Sequence, residues 1–293
     1  MYRLALALAI LLALTVRGDA ATPSAGLADA RPAPILWKAT DTDSEIWMLG
    51  SIHVLPPGTR WRTETIDRIV EETPLVYFEA DVRIPAAESW LRHTGDRRVT
   101  DLSYKLTPAG WRRLEKIVGD ADLHLGDFYY MQPWYAKHLL TDAMATDSGA
   151  RLTLGVDYTI EREARRAGKE IRYFETADDQ ISALAAAPEE EALADLEAFL
   201  AATESETGSY QSLLELWISG KAWRLAKELR SQIASDAVYD ALLVRRNENW
   251  VGQIVELMKG KGMALIVVGA GHLVGKDGVP AMLRRKGFTV TRQ

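Results

Sequence analysis

Short apolar runs separated by polar turns mark the first part of the chain. The runs Ile35–Ala39 and Glu45–Leu49 flank the polar segment Asp41–Ser44, a pattern that predicts a β-hairpin. Apolar residues at helical spacing before Pro74 predict a helix that ends there. The following run, Leu75–Phe78, predicts a buried strand. This part of the chain therefore alternates between strand and helix.

The same alternation returns toward the C-terminus. Leu152–Asp157 is predicted to be a short strand followed by a helix, and Ile171–Phe174 a further strand. Ala264–Val268 is apolar throughout, as expected of a central strand, and Val279–Lys286 is predicted to be the helix after it. Strands that alternate with helices indicate an α/β fold with a mostly parallel central sheet.

Two long segments lack strand patterns and are helical in their periodicity. They cover about 85–150 and 177–240, and we interpret them as helical insertions that form a cap on the sheet. The expected organisation is a single α/β domain over 34–293 that contains both insertions.

The N-terminus has the pattern of a targeting segment. Its apolar run, Leu4–Val16, is shorter than the ~20 residues of a membrane-spanning helix and is followed by small residues. We therefore predict a signal peptide over 1–20 and, from its Ala, Pro, Gly and Ser content, a disordered leader over 21–33. A bacterial periplasmic or secreted protein with no stable membrane span after cleavage follows, and a retained N-terminal anchor is the alternative.

Composition narrows the possible chemistry. The formal net charge is -6 with no basic block, which argues against a nucleic-acid partner. The chain has no cysteine, so any metal ion must be held by nitrogen and oxygen atoms. It has five histidines, three of which, His93, His124 and His138, lie in the helical segments and are expected to be structural or exposed.

Two histidines share one local pattern. Gly50-Ser-Ile-His53 and Gly269-Ala-Gly-His272 each place an imidazole three residues after a glycine that ends an apolar strand. Loops that leave the carboxyl ends of strands form the ligand crevice of α/β sheets, so both imidazoles are expected in one cleft. A single Gly-x-x-His is a weak signal, and a structural role for either histidine is the alternative.

Carboxylates follow the other strands at the equivalent place: Glu79, Asp81, Asp157 and Glu175. Two imidazoles and a carboxylate, without thiolates, are typical ligands of a catalytic divalent ion, and they do not distinguish Mn, Co, Zn and Fe. Each carboxylate has the alternative role of capping the next helix, which is favoured for Asp157.

The helix expected near residues 238–259 has an apolar stripe interrupted by Arg246 and Asn247. A cation and an amide at inward positions need partners, which a carboxylate cluster or a substrate carbonyl would supply; exposure of Arg246 to solvent is the alternative. The segment Gly269–Asp277 matches neither the phosphate-loop nor the dinucleotide pattern, and His-Glu-x-x-His and Gly-x-Ser-x-Gly are absent from the sequence.

Taken together, the motifs resemble those of the TraB/GumN family, whose eukaryotic relatives include the Tiki proteins. The resemblance spans about 35–293 and is carried by these segments: Met48–His53, Phe78–Asp81, Leu154–Asp157, Gly168–Ile171, Phe174–Thr176 with Gln180, Arg246-Asn247, and Val268–His272 with Gly278. It implies an α/β fold with a metal site at the paired Gly-x-x-His motifs and, for the Tiki branch, metal-dependent peptidase activity.

The resemblance also implies roles for individual residues. His53, His272 and Glu79 would face the metal. Chemistry leaves a second role open, because Glu79 or a neighbouring carboxylate could instead serve as the general base. Arg246 and Asn247 would orient a carboxylate or bind the polarised carbonyl. Asp81, Asp157 and Glu175 would form a supporting shell around these groups.

These observations lead us to expect a periplasmic metal-dependent hydrolase that acts on a peptide or a related small molecule. A non-catalytic periplasmic protein that binds a metal, haem or a small ligand in the same cleft is the alternative. An exopolysaccharide accessory protein is a third possibility, which rests on the GumN relationship and dispersed aromatic residues. The sequence does not predict the oligomeric state.

Overall fold

A computed structural model describes residues 32–81, 101–147, 149–203 and 210–293. The predicted signal peptide, most of the predicted leader, and the part of the first insertion that contains His93 lie outside the described residues, so these predictions stand untested.

Six strands form one mixed sheet in the spatial order β4-β3-β5-β2-β1-β6. Their bounds are β1 Leu36–Thr40, β2 Ser44–Ser51, β3 Leu75–Phe78, β4 Glu170–Tyr173, β5 Gly262–Gly269 and β6 Thr289–Arg292. The four strands from β4 to β2 pair in parallel, whereas β1 pairs antiparallel with both β2 and β6. The predicted α/β fold, its largely parallel sheet and the β1–β2 hairpin are confirmed.

The centre of the sheet is its most hydrophobic part. Strand β5 pairs with β3 on one side and β2 on the other, and its residues from Ala264 to Gly269 are all buried. A parallel strand covered on both faces is expected to be apolar throughout, as this one is. The loops that leave β2, β3 and β5 therefore emerge side by side from a rigid support.

Twelve α-helices surround the sheet within the described residues. They are α1 Glu64–Glu72, α2 Leu102–Lys105, α3 Pro108–Asp120, α4 Pro133–Asp147, α5 Val156–Arg166, α6 Ala177–Ala185, α7 Glu189–Ala202, α8 Tyr210–Ile218, α9 Ala222–Ser231, α10 Asp236–Tyr239, α11 Arg245–Leu257 and α12 Val279–Arg285. A five-residue π-helix, Asp240–Val244, joins α10 to α11. Pro108 begins α3, and the Thr107 hydroxyl caps it by accepting from Gly110 N.

The prediction of a strand at Leu152–Asp157 is wrong. The chain forms a 3-10 helix at Leu152–Leu154 and enters α5 at Val156, whose N–H donates to Ile52 O at 3.1 Å. Gly155 approaches the loop after β2 so closely that a Cβ there would lie 2.0 Å from His53 O. This contact places the turn against the loop that carries His53.

The apolar core has two main parts. The larger cluster packs around the sheet and includes the fully buried Trp217 and Trp250. The second lies among α2, α3, α4, α6 and α7 and is centred on residues such as Leu140 and Leu196. The helical character expected for the described parts of both insertions is confirmed, and within the described residues no helix is long and apolar enough to cross a membrane.

Candidate functional site

Three side chains that the sequence pattern predicts to share a cleft meet at one edge of the sheet. His53, Glu79 and His272 follow β2, β3 and β5, whose carboxyl ends lie side by side because the strands are adjacent and parallel. His53 Nε2 lies 4.0 Å from Glu79 Oε1, and His272 Nε2 lies 3.9 Å from the same oxygen. The two imidazoles therefore present the same nitrogen to one carboxylate oxygen.

The carboxylate of Asp157 faces the other side of the His53 ring. Its Oδ1 lies 3.1 Å from His53 Nδ1. Burial by itself would lower the pKa of His53, but the charges of Asp157 and, farther away, Glu79 outweigh it and raise the pKa to about 9. Because a carboxylate is an acceptor, it favours a proton on Nδ1 and leaves Nε2 of the neutral ring as the lone pair that faces Glu79.

The side-chain amide of Asn247 orients the His272 ring through Nδ1, as Asp157 does for His53. Asn247 Nδ2 donates to Asp277 O at 2.8 Å, which fixes the amide so that its Oδ1 lies 2.6 Å from His272 Nδ1. This arrangement assigns the proton of the neutral ring to Nδ1 and the lone pair to Nε2. Burial and the neighbouring Arg246 lower the pKa of His272 to about 3, and Trp250 packs on the ring with centroids 4.3 Å apart.

The guanidinium of Arg246 connects the site residues. All of its N–H groups have acceptors. Glu175 accepts from Nε and Nη2, and Glu79 Oε2 accepts from Nη2 at 2.7 Å. On the other side, Nη1 lies 3.1 Å from Leu242 O and 3.2 Å from His272 Nε2. Arg246 is 6% exposed, so the alternative of a solvent-exposed arginine is wrong. Burial opposes its charge, but Glu79 and Glu175 more than compensate and raise its pKa.

Glu79 is held ionised by several donors. Its Oε1 accepts from Gly269 N at 2.6 Å, and its Oε2 accepts from Gln180 Nε2 at 3.0 Å as well as from Arg246. Burial would raise the pKa of Glu79, but Arg246, His272 and His53 lower it to about 2. Glu79 does not cap a helix, which was its alternative role.

The other predicted carboxylates occupy different places around this cluster. Asp157 lies in the first turn of α5 without making a side-chain cap, so the favoured capping role is wrong. Glu175 pairs with Arg246 at 2.5 Å, while its neighbour Thr176 caps α6; burial raises the pKa of Glu175. Asp81 lies near Tyr173, whose pKa is raised by burial, by Glu161 and by Asp81.

The two remaining described histidines lie in the helical part of the chain. His124 is 81% exposed in its side chain, and His138 is buried on α4, where burial lowers its pKa to about 4. Both positions agree with the expected structural or surface roles.

The structure adds two contributors that sequence reasoning left without a role. Gln180 belongs to the segments that carry the family resemblance, and its amide reaches Glu79 from α6. Gly269 supplies a backbone N–H, and a Cβ there would lie 3.1 Å from Glu79 Oε1 and 3.2 Å from His53 Nε2. The glycine itself was the available signal, since Gly269 ends the apolar strand β5 and is the first residue of the second Gly-x-x-His motif.

The donor set of this cluster suits a divalent ion. Both rings have Nδ1 oriented by an acceptor, which is the usual outer contact of a metal-bound histidine, and glycine leaves the space between the ligand atoms open. The spacing is wide, since the Nε2–Oε1 separations of 3.9 and 4.0 Å exceed the about 3.4 Å between ligands of a tetrahedral ion with ~2.1 Å bonds. Within the described ranges, no group of three or more His, Asp and Glu side chains has metal-ligating geometry.

Comparison with known proteins places this site in a family. The family model for TraB/PrgY/gumN matches residues 35–292, nearly all of the chain after the predicted leader. The chain belongs to the TraB/PrgY/gumN family. The family resemblance inferred from the motifs is thereby confirmed, and every residue of the cluster lies inside the matched range.

Two curated relatives of this chain are uncharacterized proteins named YbaP. The protein from Escherichia coli K12 is 23% identical over 260 residues, which cover 85% of this chain and 92% of the relative. The protein from Shigella flexneri is 23% identical over 245 residues, covering 81% and 87% respectively. No solved structure matches the chain significantly.

Proposed function

We propose that the protein is a metal-dependent hydrolase that acts on a peptide or a related amide in the periplasm or outside the cell. The observation that carries the proposal is the convergence of two Nε2 atoms on Glu79 Oε1, with each Nδ1 facing an acceptor. The family membership supports the choice of site, and the sequence pattern of residues 1–20 supports the location.

His53, His272 and Glu79 would hold the ion. When bound, a divalent ion lowers the pKa of a water molecule and polarises the scissile carbonyl, and Mn, Co, Zn and Fe are all compatible with these ligands. Asp157 and Asn247 keep the two rings in the tautomer that offers Nε2.

The remaining groups have distinct tasks in this proposal. The pKa of about 2 makes Glu79 a ligand rather than a general base, because a useful base titrates near the working pH. Glu175, whose pKa burial raises, is the better carboxylate for accepting a proton. Arg246 holds Glu79 and Glu175 in place by pairing with both carboxylates.

Metal analysis tests the proposal directly. Purified protein dialysed against each candidate ion should retain about one equivalent, while His53→Ala and His272→Ala should each lower the affinity by about 100-fold or more, because each removes a ligand. His124→Ala, at an exposed position, is the matched control. Unchanged metal content in both site variants would contradict the proposed centre.

A non-catalytic protein that holds a metal ion or a small ligand is the second candidate. The observation that favours it is burial: the side chains of His53 and Glu79 are each 11% exposed and that of His272 is 3% exposed. A peptide-library hydrolysis assay separates the two functions. Turnover that is abolished by a chelator and restored by the metal excludes the pure binding protein, whereas tight metal binding without turnover excludes the hydrolase.

A further inference from the structure

Basic side chains without acidic partners gather on one surface of the molecule, which we call the basic face. They are Lys221 and Arg224 at the start of α9, Arg284 and Arg285 at the end of α12, and Arg292 in β6. Among the described residues, none of them forms an ion pair with a carboxylate. Arg230 and Lys276, which do pair with aspartates, are not part of the face. The chain has a formal net charge of -6, so the fold concentrates positive charge that the composition does not show.

Contacts between the two segments hold the basic face together. A Cβ at Gly220, directly before α9, would lie 3.1 Å from Arg292 Nη2. The loop after β5 bridges the helices farther along: a Cβ at Gly275 would lie 3.4 Å from a side chain of α9, and Lys276 O accepts from Arg285 Nη1 at 2.7 Å. The cations of α9 and those of α12 and β6 therefore lie side by side although they are far apart in the chain.

Two of these cations share one tryptophan. The guanidinium carbons of Arg284 and Arg292 lie 4.8 and 5.6 Å from the ring centroid of Trp37. Within the described ranges, Arg284 donates only to Val290 O and Arg292 only to Leu36 O. Burial lowers the pKa of Arg292, because no carboxylate compensates for the lost hydration. Two like charges next to one ring repel each other, and an anion from outside the chain would relieve that repulsion.

An exposed tryptophan borders the basic face. Trp223 on α9 is 67% exposed, and the guanidinium carbon of Arg224 lies 5.3 Å from its ring centroid. Tryptophan beside lysine and arginine is typical of the interface between lipid and water, where the ring lies at the level of the headgroups. This arrangement favours a lipid surface over a small, purely polar anion.

The N-terminal segment joins the fold at the same face. The Ala33 N–H donates to the last residue of α8 at 2.7 Å, and Ala33 O would lie 2.5 Å from a Cβ at Gly220, the glycine beside Arg292. Residues 1–31, which include the apolar run Leu4–Val16, therefore connect to the described chain next to the cations. A targeting segment enters the membrane during secretion, so the adjoining face has a membrane as its first neighbour.

We propose that the basic face binds the anionic phospholipid surface of a membrane. Phosphate oxygens of the headgroups pair with the five cations, and Trp223 lies among the headgroups. Peripheral attachment of this kind needs no membrane-spanning helix. The proposal goes beyond the hydrolase function and is independent of it, since no residue of the candidate site belongs to the face.

Vesicle flotation tests the assignment. The protein is the predicted mature chain, from residue 21 onward, so that the apolar run Leu4–Val16 makes no contribution. The vesicles contain phosphatidylcholine alone or phosphatidylcholine with about 30 mol% phosphatidylglycerol. At about 0.1 M salt we expect binding to the anionic vesicles to be at least about 10-fold tighter. This preference should disappear at about 1 M salt, where the screening length falls to ~3 Å.

Removing charge from the face provides the decisive comparison. Arg224→Gln combined with Arg285→Gln should weaken binding to anionic vesicles about 25-fold, because each basic residue near such a surface contributes a factor of about five. Lys116→Gln combined with Lys259→Gln is the matched control, since both lysines are exposed outside the face and the net charge changes equally. Trp223→Ala should weaken binding about 10-fold, because no ring enters the interface. Circular dichroism and urea denaturation check that each variant folds.

Equal binding to both kinds of vesicle, or equal effects of the two double variants, would overturn the assignment. Displacement by millimolar glycerophosphate would assign Arg284 and Arg292 to a small anion instead. Capture by polyglutamate without binding to vesicles would assign the face to an acidic protein, and either of these results also overturns the proposal. The measurements need neither metal nor turnover, so their failure leaves the hydrolase proposal intact, and failure of the metal analysis leaves the membrane surface intact.

Discussion

His53 and His272 occupy equivalent places on neighbouring strands yet hold protons very differently. The carboxylate of Asp157 next to His53 outweighs burial and favours the imidazolium, whereas burial and the cation of Arg246 leave His272 neutral. The two Gly-x-x-His motifs alone give no hint of this difference, because the residues that cause it lie far away in the chain.

The raised pKa of His53 predicts a pH-dependent stability. The folded-state pKa of about 9 exceeds the unfolded value near 6.5, so the stabilisation is complete below pH 6.5 and is lost as the pH rises through 9. In metal-free protein the loss should reach about 3 kcal/mol. Urea denaturation of wild type and His53→Gln between pH 6 and 10 measures it; a difference between the two that stays constant over this range would refute the prediction.

Residue types and spacing in the sequence were enough to predict which three side chains converge in the site. They were not enough to predict which other residues contact those side chains. The sequence identified His53, Glu79 and His272 because an apolar strand precedes each of them and a glycine precedes each histidine by three residues. It favoured a helix cap for Asp157, because a carboxylate at the start of a helix has that role more often than any other. The actual contact with His53 depends on how α5 packs against the loop after β2, which is tertiary information.

At the scale of elements, the start of α5 packs closely against the loop after β2. The Val156 N–H donates to Ile52 O, and Gly155 has no side chain to hold the two segments apart. This contact fixes Asp157 beside His53. The start of α5 therefore orients Asp157 in the site.

Gly155→Ala should disrupt this contact. A Cβ placed 2.0 Å from a backbone oxygen forces the helix away from the loop, which we expect to cost about 2 kcal/mol or more in the free energy of unfolding and to lower the raised pKa of His53. NMR titration of the His53 ring and urea denaturation measure the two effects. Gly252→Ala, where no atom lies within 4 Å of the added Cβ, should instead stabilise α11 by up to about 1 kcal/mol. Equal stability changes in the two variants would argue against the contact.

The same contact explains why the strand prediction for Leu152–Asp157 was wrong. Leu152–Asp157 is a short apolar run, and periodicity does not distinguish a short strand from one helical turn. The long apolar run of β5 carried a stronger local signal, so this strand was predicted correctly. Elements whose conformation depends on a tertiary contact are those that local patterns miss.

At the scale of the whole molecule, two large apolar clusters stabilise different parts of the fold. One supports the sheet and the ends of β2, β3 and β5, and the other lies among the helices. Gln180 connects them, because α6 packs Ile181 into the helical cluster and directs the Gln180 amide to Glu79. The helical region therefore contributes a hydrogen bond to the site.

Substitutions in the two clusters should have different local effects. Leu140→Ala removes a fully buried side chain of the helical cluster and should cost about 2–5 kcal/mol, with amide exchange accelerated first in α4 and α7. Leu265→Ala, in β5, is the matched substitution in the other cluster and should accelerate exchange in β2, β3 and β5. Hydrogen-exchange mass spectrometry distinguishes these patterns, and identical patterns would mean that the two clusters unfold as one.

The position of β5 has a consequence for how the protein is made. Strands β2 and β3 do not pair with each other; β5, which is synthesised more than 180 residues after β3, is inserted between them. A chain emerging from a ribosome or a secretion channel thus carries His53 and Glu79 on strands that have no common partner until residues 262–272 arrive. The site therefore forms only after β5 and the loop that follows it have been synthesised, and a nascent chain that ends before residue 262 has no assembled site.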